Sequence, residues 1–285
     1  MLINFTKMQG CANDYIYIDC MSGKNCEVID NISNIAKDLS RRHFSVGADG
    51  VVLICDSDQA VAKMRMFNAD GSEGRMCGNA IRCVGKYLYD NCITMSDNLD
   101  IETLSGVKHL SLQTESGICT GATVDMGKVS FMPNNIPVLA DDEVVNDEIL
   151  LSGNPWRITC VSMGNPHAVT FIDKVDSLEI EKIGPEFENH KLFPERVNTE
   201  FVEIVDSRGL IMRVWERGSG ETYACGTGAC ASVVAAVRCG YCRANEDVCV
   251  HLKGGDLVIR VDENYNVKMT GPAVSVYKGE VIYER

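Results

Sequence analysis

The run Met64-Arg-Met-Phe-Asn-Ala-Asp-Gly-Ser-Glu73, continued by Gly-Arg-Met-Cys77-Gly78, is written a second time 148 residues later. The second copy reads Met212-Arg-Val-Trp-Glu-Arg-Gly-Ser-Gly-Glu221 and continues Thr-Tyr-Ala-Cys225-Gly226. Met64, Arg65, Glu73, Cys77 and Gly78 recur as Met212, Arg213, Glu221, Cys225 and Gly226, and Phe67 falls on Trp215. A looser echo links Gly10-Cys-Ala-Asn13 with Gly164-Asn165. The spacing is too long for a solenoid, in which one supersecondary unit repeats every few tens of residues. It implies two halves of one fold, each delivering one cysteine.

Outward from the repeat, each copy reads as strand, Gly-rich turn, Cys-Gly, helix. Strand-like runs, β-branched or alternating and punctuated by Gly, Asn or Asp, cover residues 15–19, 51–54, 62–67, 156–162, 168–172, 199–205, 211–215, 248–252 and 257–261. Helical patterns are fewer. They cover residues 31–42, then 78–89 with Ile81, Val84, Gly85 and Leu88 on one face, and 226–239, which is apolar nearly all round and therefore expected to be buried. The mixture predicts an α+β fold rather than regular βαβ alternation. Residues 132–147, with Pro133 and Pro137 and then several acids, read as an exposed connector.

The repeated element puts Cys77 and Cys225 each at or just before a helix N-terminus. Free backbone N–H groups and the helix dipole favour negative charge there, so a thiol ionises more readily and a carboxylate can be held. Gly78 and Asn79 in one copy, Gly226, Thr227 and Gly228 in the other, let an anion approach the backbone. Two such elements facing each other would make a two-base site. One thiolate removes an α-proton, the opposing thiol delivers another, and the helix ends stabilise the enolate-like charge between them. That chemistry inverts an amino-acid stereocentre without a pyridoxal cofactor. A single Cys-Gly at a helix start is more often structural; the matched pair, each with Glu four residues earlier, argues for function.

Composition narrows the alternatives. The 285 residues are 45% hydrophobic and 24% charged, enough for a sizeable core. A formal net charge of -13, with no basic cluster denser than Arg41-Arg42, disfavours nucleic acid and anionic membranes as partners. The N-terminal stretch lacks a signal-peptide pattern and no apolar run could span a bilayer, so a cytoplasmic location and reduced cysteines are expected, Cys55 and Cys160 serving as small buried hydrophobes. The motif Cys239-Gly-Tyr-Cys242 raises a thiol–disulfide or zinc-binding reading. It follows a helix instead of opening one, and the next donors, Cys249 and His251, lack regular spacing. A non-catalytic amino-acid binder would not need two matched thiols, and no nucleotide-binding glycine loop is present. The oligomeric state stays open, a homodimer included.

Phe5-Thr-Lys-Met-Gln-Gly10, Asn13-Asp14, Val46-Gly-Ala-Asp-Gly50, Phe67-Asn-Ala-Asp-Gly71, Met76-Cys-Gly-Asn79 and Arg82-Cys83 are joined by Ser162-Met-Gly-Asn-Pro-His167, Val197-Asn198, Glu216-Arg217-Gly218, Glu221-Thr222, Ala224-Cys-Gly-Thr-Gly-Ala-Cys230 and Met269-Thr-Gly-Pro-Ala273. Together they closely resemble the diaminopimelate epimerases over nearly the whole chain. The resemblance implies two pseudo-symmetric lobes, each a curled mixed β-sheet round a central helix, with the active site in the cleft between them. Residues 1–127 with 271–285 would form the lobe carrying Cys77, and 128–270 the lobe carrying Cys225. It implies interconversion of LL- and meso-diaminopimelate, on the way to lysine and cell-wall precursors, with no pyridoxal phosphate and no metal. Carried over residue by residue, Cys77 and Cys225 are the proton carriers. Backbone groups of Gly78, Asn79, Gly226 and Thr227 hold the reacting carboxylate, and His167 and Glu216 support the centre near its amino group. Asn13 and Asn165 orient substrate, while Asn68, Asn198 and Arg217 read the distal amino-acid end, for which Arg217's planar fork suits a carboxylate. Asn13, Asn68 and Asn165 could instead serve their turns, His167 a strand end, and Arg217 a surface ion pair. Gln9, Ala12 and Ala80 depart from the family's usual His, Gly and Gly. They leave open a same-fold racemase of another amino acid such as histidine.

Overall fold

The computed structural model describes residues 1–284. In chain order its first elements are β1 (Leu2–Gly10), β2 (Asn13–Asp19), α1 (Cys26–Asp30), α2 (Ile32–Ser40), β3 (Gly50–Cys55), β4 (Ala62–Asn68), β5 (Glu73–Gly74), α3 (Gly78–Asp90), β6 (Asn98–Thr103), β7 (Gly106–Glu115) and β8 (Ile118–Lys128). There follow β9 (Asp147–Leu151), β10 (Asn154–Ser162), β11 (Pro166–Phe171), α4 (Ile180–Glu188), β12 (Asn198–Asp206), β13 (Gly209–Glu216), β14 (Gly220–Thr222), α5 (Gly226–Arg238), β15 (Asp247–Leu252), β16 (Gly255–Val261), β17 (Asn266–Pro272) and β18 (Val274–Ile282). The fold is α+β. The chain divides into two compact units, Met1–Asp125 with the segment from Thr270 onward, and Met126–Met269.

In the first unit β1 and β2 form a hairpin whose two-residue turn, Cys11-Ala12, has both residues left-handed (φ 53° and 63°), matching the twist of the strands. The carboxamide of Gln9 accepts the Ala12 N–H at 2.8 Å. The strand β2 pairs parallel with β3, which pairs antiparallel with β4; β4 meets β6 in parallel, and β6, β7 and β8 continue as an antiparallel meander. The C-terminal β18 lies antiparallel against β1, Leu2 opposite Ile282. Alternation sorts β2 by face. Ile16 and Ile18 join Val51, Leu53 and the apolar side of α2 (Ile32, Ile35, Ala36, Leu39). Tyr17 points the other way, its hydroxyl donating to the Ala80 carbonyl of α3 at 3.2 Å. The helix α3 packs against β1, β2, β7 and β18. Gly85 permits the approach, because a Cβ there would lie 2.9 Å from Leu112 Cδ2.

The second unit repeats this plan. The strands β10 and β11 pair antiparallel, β11 and β12 parallel, β12 and β13 antiparallel, β13 and β15 parallel, and β15 and β16 antiparallel. The helix α5 packs among β10, β11, β12, β13, β15 and β16 and is buried from Gly228 to Ala236. On the other side of the strands α4 covers a cluster in which Phe187 and Phe201 stack edge-to-face on Trp156. Register is duplicated to the residue. Val51 opposes Phe67 as Thr199 opposes Trp215, and Phe67 opposes Glu73 as Trp215 opposes Glu221. Arg65 grips Glu73 through two bonds of 2.7 and 3.1 Å, and Arg213 grips Glu221 through two of 2.7 and 3.2 Å. The recurring Arg and Glu of the sequence are thus the pins that hold each short return strand in place before its cysteine.

Three expectations are corrected. The connector around residues 132–147 is not simply exposed: Pro133 opens a single 3-10 turn, and Ile136, Val138 and Val144 then tuck into the aromatic cluster of the second unit. Cys55 ends β3 only half-buried, unlike the fully buried Cys160. The helix expected over 31–42 is shorter, with Asn31 standing outside its first turn. Among the described residues no helix is long and apolar enough to cross a membrane.

Candidate active site

In the first unit the turn after β5 delivers Cys77 in an extended conformation (φ -133°, ψ 120°) as the residue before α3. The first intrahelical bond runs from Ile81 N to Cys77 O at 3.0 Å, so the amides of Gly78, Asn79 and Ala80 lie in the opening turn, where a helix has no partner for them. Cys77 is half-buried, and its Sγ stands 3.4 Å from Asn13 Oδ1. The same oxygen accepts from Asn79 Nδ2 at 3.4 Å. Asn13 is anchored in turn, its Nδ2 donating to Asp49 Oδ2 at 2.8 Å. Arg42 pairs with both Asp14 and Asp49, and Lys7 pairs with Asp14, so one cationic pair fixes the hairpin end that carries Asn13. Burial alone would raise the Asp14 carboxyl, but the bonds from Arg42 and Lys7 outweigh it and hold it below the usual range. Below the site, the fully buried Arg82 reaches Gly78 O, Asn79 Oδ1 and Pro272 O at 3.0–3.1 Å. Asn68 ends β4 opposite Gly50 and bonds Ser72 Oγ at 3.0 Å.

The second unit builds its counterpart from different side chains. Cys225 is again the extended residue before a helix (φ -122°, ψ 109°), and here its sulfur caps that helix, accepting the Gly228 N–H at 3.3 Å. Thr227 Oγ1 lies 3.5 Å from the same sulfur, and Asn165 Nδ2 donates to Thr227 at 3.4 Å. His167 joins Asn165 Oδ1 through Nε2 at 3.1 Å and Glu200 Oε1 through Nδ1 at 2.7 Å. Glu216, at the end of β13, accepts the Thr222 hydroxyl at 2.5 Å; burial nevertheless pushes its carboxyl up. Burial, followed by the Glu216 and Glu200 carboxylates, pushes the Cys225 thiol up as well, against the Thr227 and Gly228 bonds. Asn198 uses both ends of its carboxamide on backbone, donating to Pro166 O at 2.8 Å and accepting Arg217 N at 2.9 Å. It thereby fixes the turn from which Arg217 projects, and Arg217's guanidinium donates to Glu195 O at 2.9 Å.

The model of the family described as diaminopimelate epimerase matches residues 5–132 and 159–276, most of the chain. The chain belongs to the diaminopimelate epimerase family. Its relatives include the diaminopimelate epimerases of Acetivibrio thermocellus, 52% identical over 98% of both chains, and of Methanococcus maripaludis strain C5, 50% identical over 98% of this chain and 99% of that one. That of Bacillus cereus strain ATCC 14579 is 44% identical over 99% and 97%. Among solved structures, a PhzF-family phenazine biosynthesis protein of Bacillus anthracis superposes with a TM-score of 0.71 at 18% identity, covering 99% of this chain and all of that one. A probable proline racemase from Agrobacterium radiobacter K84 gives 0.72 at 13% identity, covering 99% and 93%. Those two likenesses concern the fold alone.

For a diaminopimelate epimerase family chain, the residues expected from sequence gather unit by unit. Asn13, Cys77, Gly78 and Asn79 form one group; Asn165, His167, Cys225, Gly226 and Thr227 form another, with Glu216 beside it. Asn198 and Arg217 are joined through backbone. Asn68 is tied to its own turn through Ser72. Sequence reasoning left Asp49, Arg82 and Glu200 without roles. Asp49 and Arg82 stood inside quoted motifs. Glu200 offered only a weak signal, an acid in an otherwise buried strand, Asn198–Val202. The rival Cys239-x-x-Cys242 lies at the C-terminal end of α5, where the helix dipole opposes a thiolate, and Cys239 sits 3.4 Å from the Thr159 hydroxyl. His251, on the β15–β16 hairpin near Cys249, bonds Asp256 at 2.9 Å on the surface.

Proposed function

We propose that this chain converts LL-diaminopimelate to meso-diaminopimelate in the cytoplasm, without a cofactor, using Cys77 and Cys225 on opposite faces of one α-carbon. The observation that carries the reading is the twofold repetition, in identical strand register, of a cysteine placed immediately before a helix. Membership of the diaminopimelate epimerase family supports the substrate.

One sulfur, as thiolate, takes the α-proton and becomes a thiol. The other, as thiol, delivers a proton to the opposite face and becomes a thiolate. Configuration inverts, no proton is lost overall, and the two sulfurs exchange states, so their titrations are coupled. The opening amides of Gly78, Asn79, Gly226 and Thr227 stabilise the carboxylate as it gains enolate character. His167 and Glu216 act near the amino group, Asn13 and Asn165 orient the substrate, and Asn68, Asn198 and Arg217 serve its distal end.

Cys77→Ser and Cys225→Ser should each lose epimerisation by a factor of about 100 to 10,000, the usual worth of a placed acid or base. Deuterium uptake at Cα from heavy water, followed by NMR with LL-diaminopimelate and then histidine, measures this and names the substrate. Full activity in either variant would end the two-thiol reading; exchange with histidine alone would overturn the substrate. Oxidation that joins Cys77 to Cys225 should abolish activity, and dithiothreitol should restore it.

A further inference from the structure

Hydrogen-bond polarity differs at the two sulfurs. At Cys77 the chain of amides has a donor-only cation at one end and an acceptor-only anion at the other. Arg82 gives a hydrogen to Asn79 Oδ1 at 3.0 Å, Asn79 gives one to Asn13 Oδ1 at 3.4 Å, and Asn13 gives one to Asp49 at 2.8 Å. Asn13 therefore presents an acceptor to the Cys77 sulfur. At Cys225 the repeat replaces Tyr15 by His167 and Val52 by Glu200, both 0% exposed. Glu200 Oε1 faces one ring nitrogen of His167 and Asn165 Oδ1 faces the other. With an acceptor oxygen facing each ring nitrogen, the arrangement is complete when both nitrogens donate. The Asn165 amide then turns its NH2 to Thr227, whose hydroxyl, having accepted, keeps its own hydrogen for the sulfur.

We propose that Glu200 is a positioning residue for Cys225: through His167 and Asn165 it turns the Thr227 hydroxyl onto that sulfur as a donor, the opposite of what Asn13 offers Cys77. The proposal rests on Cys225 being one of the two proton carriers. Two further observations fit a built-in role for this acid. Glu200 Oε2 is buried without a hydrogen-bond partner among the described residues. Gly228 leaves room for the carboxylate at the opening turn of α5, where a Cβ would lie 2.7 Å from Oε1. The titratable groups acting on Cys225 are Glu216 from β13 and Glu200 from β12, while His167 from β11 faces those two carboxylates.

The sign of one experiment separates this device from a bare negative charge. A lone Glu200 carboxylate repels a thiolate, so Glu200→Gln would make Cys225 more reactive. In the relay, Glu200→Gln leaves net charge unchanged by leaving His167 with one ring proton, held on Nδ1 by the Gln carbonyl; Nε2 then accepts, the Asn165 amide turns over, and the Thr227 hydroxyl donates to Asn165 instead of the sulfur. Iodoacetamide labelling of the native protein, resolved by peptide mass spectrometry, should then show Cys225 about tenfold slower at pH 7, with Cys77 unchanged. Thr227→Val should reproduce the slowing and Thr227→Ser should restore it, which keeps the test available should Glu200→Gln not fold. Nitrogen-15 NMR of the His167 ring should show two N–H groups in the parent and one in Glu200→Gln. Equal or faster labelling of Cys225 in Glu200→Gln, or a singly protonated His167 in the parent, overturns the relay. Labelling requires no turnover, so its failure is distinct from failure of the epimerisation assay.

Discussion

Ala12 and Asp14 show how single residues near Cys77 trade stability for position. Ala12 holds a left-handed backbone (φ 63°) that costs an L-residue about 1–2 kcal/mol, part of which glycine would give back through its freer unfolded chain. Ala12→Gly should raise Tm by about 2 °C in a thermal melt. Asp14→Asn should cost about 1–2 kcal/mol at pH 7, discounted for the exposure of Arg42. The Asp14 carboxyl is depressed in the folded state, so its stabilisation is complete above the ordinary carboxylate range and is lost as pH falls through the depressed value. Urea unfolding of Asp14→Asn and parent should therefore converge in acid; a constant gap would contradict the assignment. Cys77 and Cys225 were legible because a local pattern, Cys-Gly at a helix start, carries their chemistry. Arg82 and Glu200 were not, because partners that satisfy the buried charge lie far along the chain, Pro272 in addition to the local Gly78 and Asn79 for one and His167 for the other.

At the scale of elements, the helices on which the cysteines sit were readable from their apolar spacing, as were the strands leading to them. The meander β6–β8 was not, and the returning β18 was expected only through the family resemblance. The outward faces of β6–β8 carry Ser, Thr, Lys and Glu, so their alternating buried positions stand out only once neighbouring strands cover them. The helix α4, nine residues with Pro185 inside, was hidden by that proline. The contact between β3 and β4 makes a sharp prediction. A Cβ on Gly50 would fall 2.1 Å from the Phe67 carbonyl oxygen, backbone that cannot rotate away. Gly50→Ala should destabilise by about 2–3 kcal/mol in urea, with loss of ordered β4 beside Asn68. A change under 0.5 kcal/mol, the ordinary surface range, would show that the strands part more readily than this packing implies.

At the scale of the whole molecule, the duplicated run announced two halves before any element was assigned, while only the family resemblance said which half the last strand joins. That depends on hydrogen bonds between β1 and β18, residues at opposite ends of the chain. Removing residues 274–285 strips β1 of this partner, and native-state hydrogen exchange should show β1 and β2 losing protection while β11–β13 keep theirs. The same pairing sets an order of events during synthesis. The second unit is continuous and has β9–β16 once Val261 has been made, whereas the first, although β1–β8 are made before it, lacks an edge of its sheet until β18 follows. The half translated first is thus the half completed last, and its exposed β1 edge must stay soluble while the other half folds.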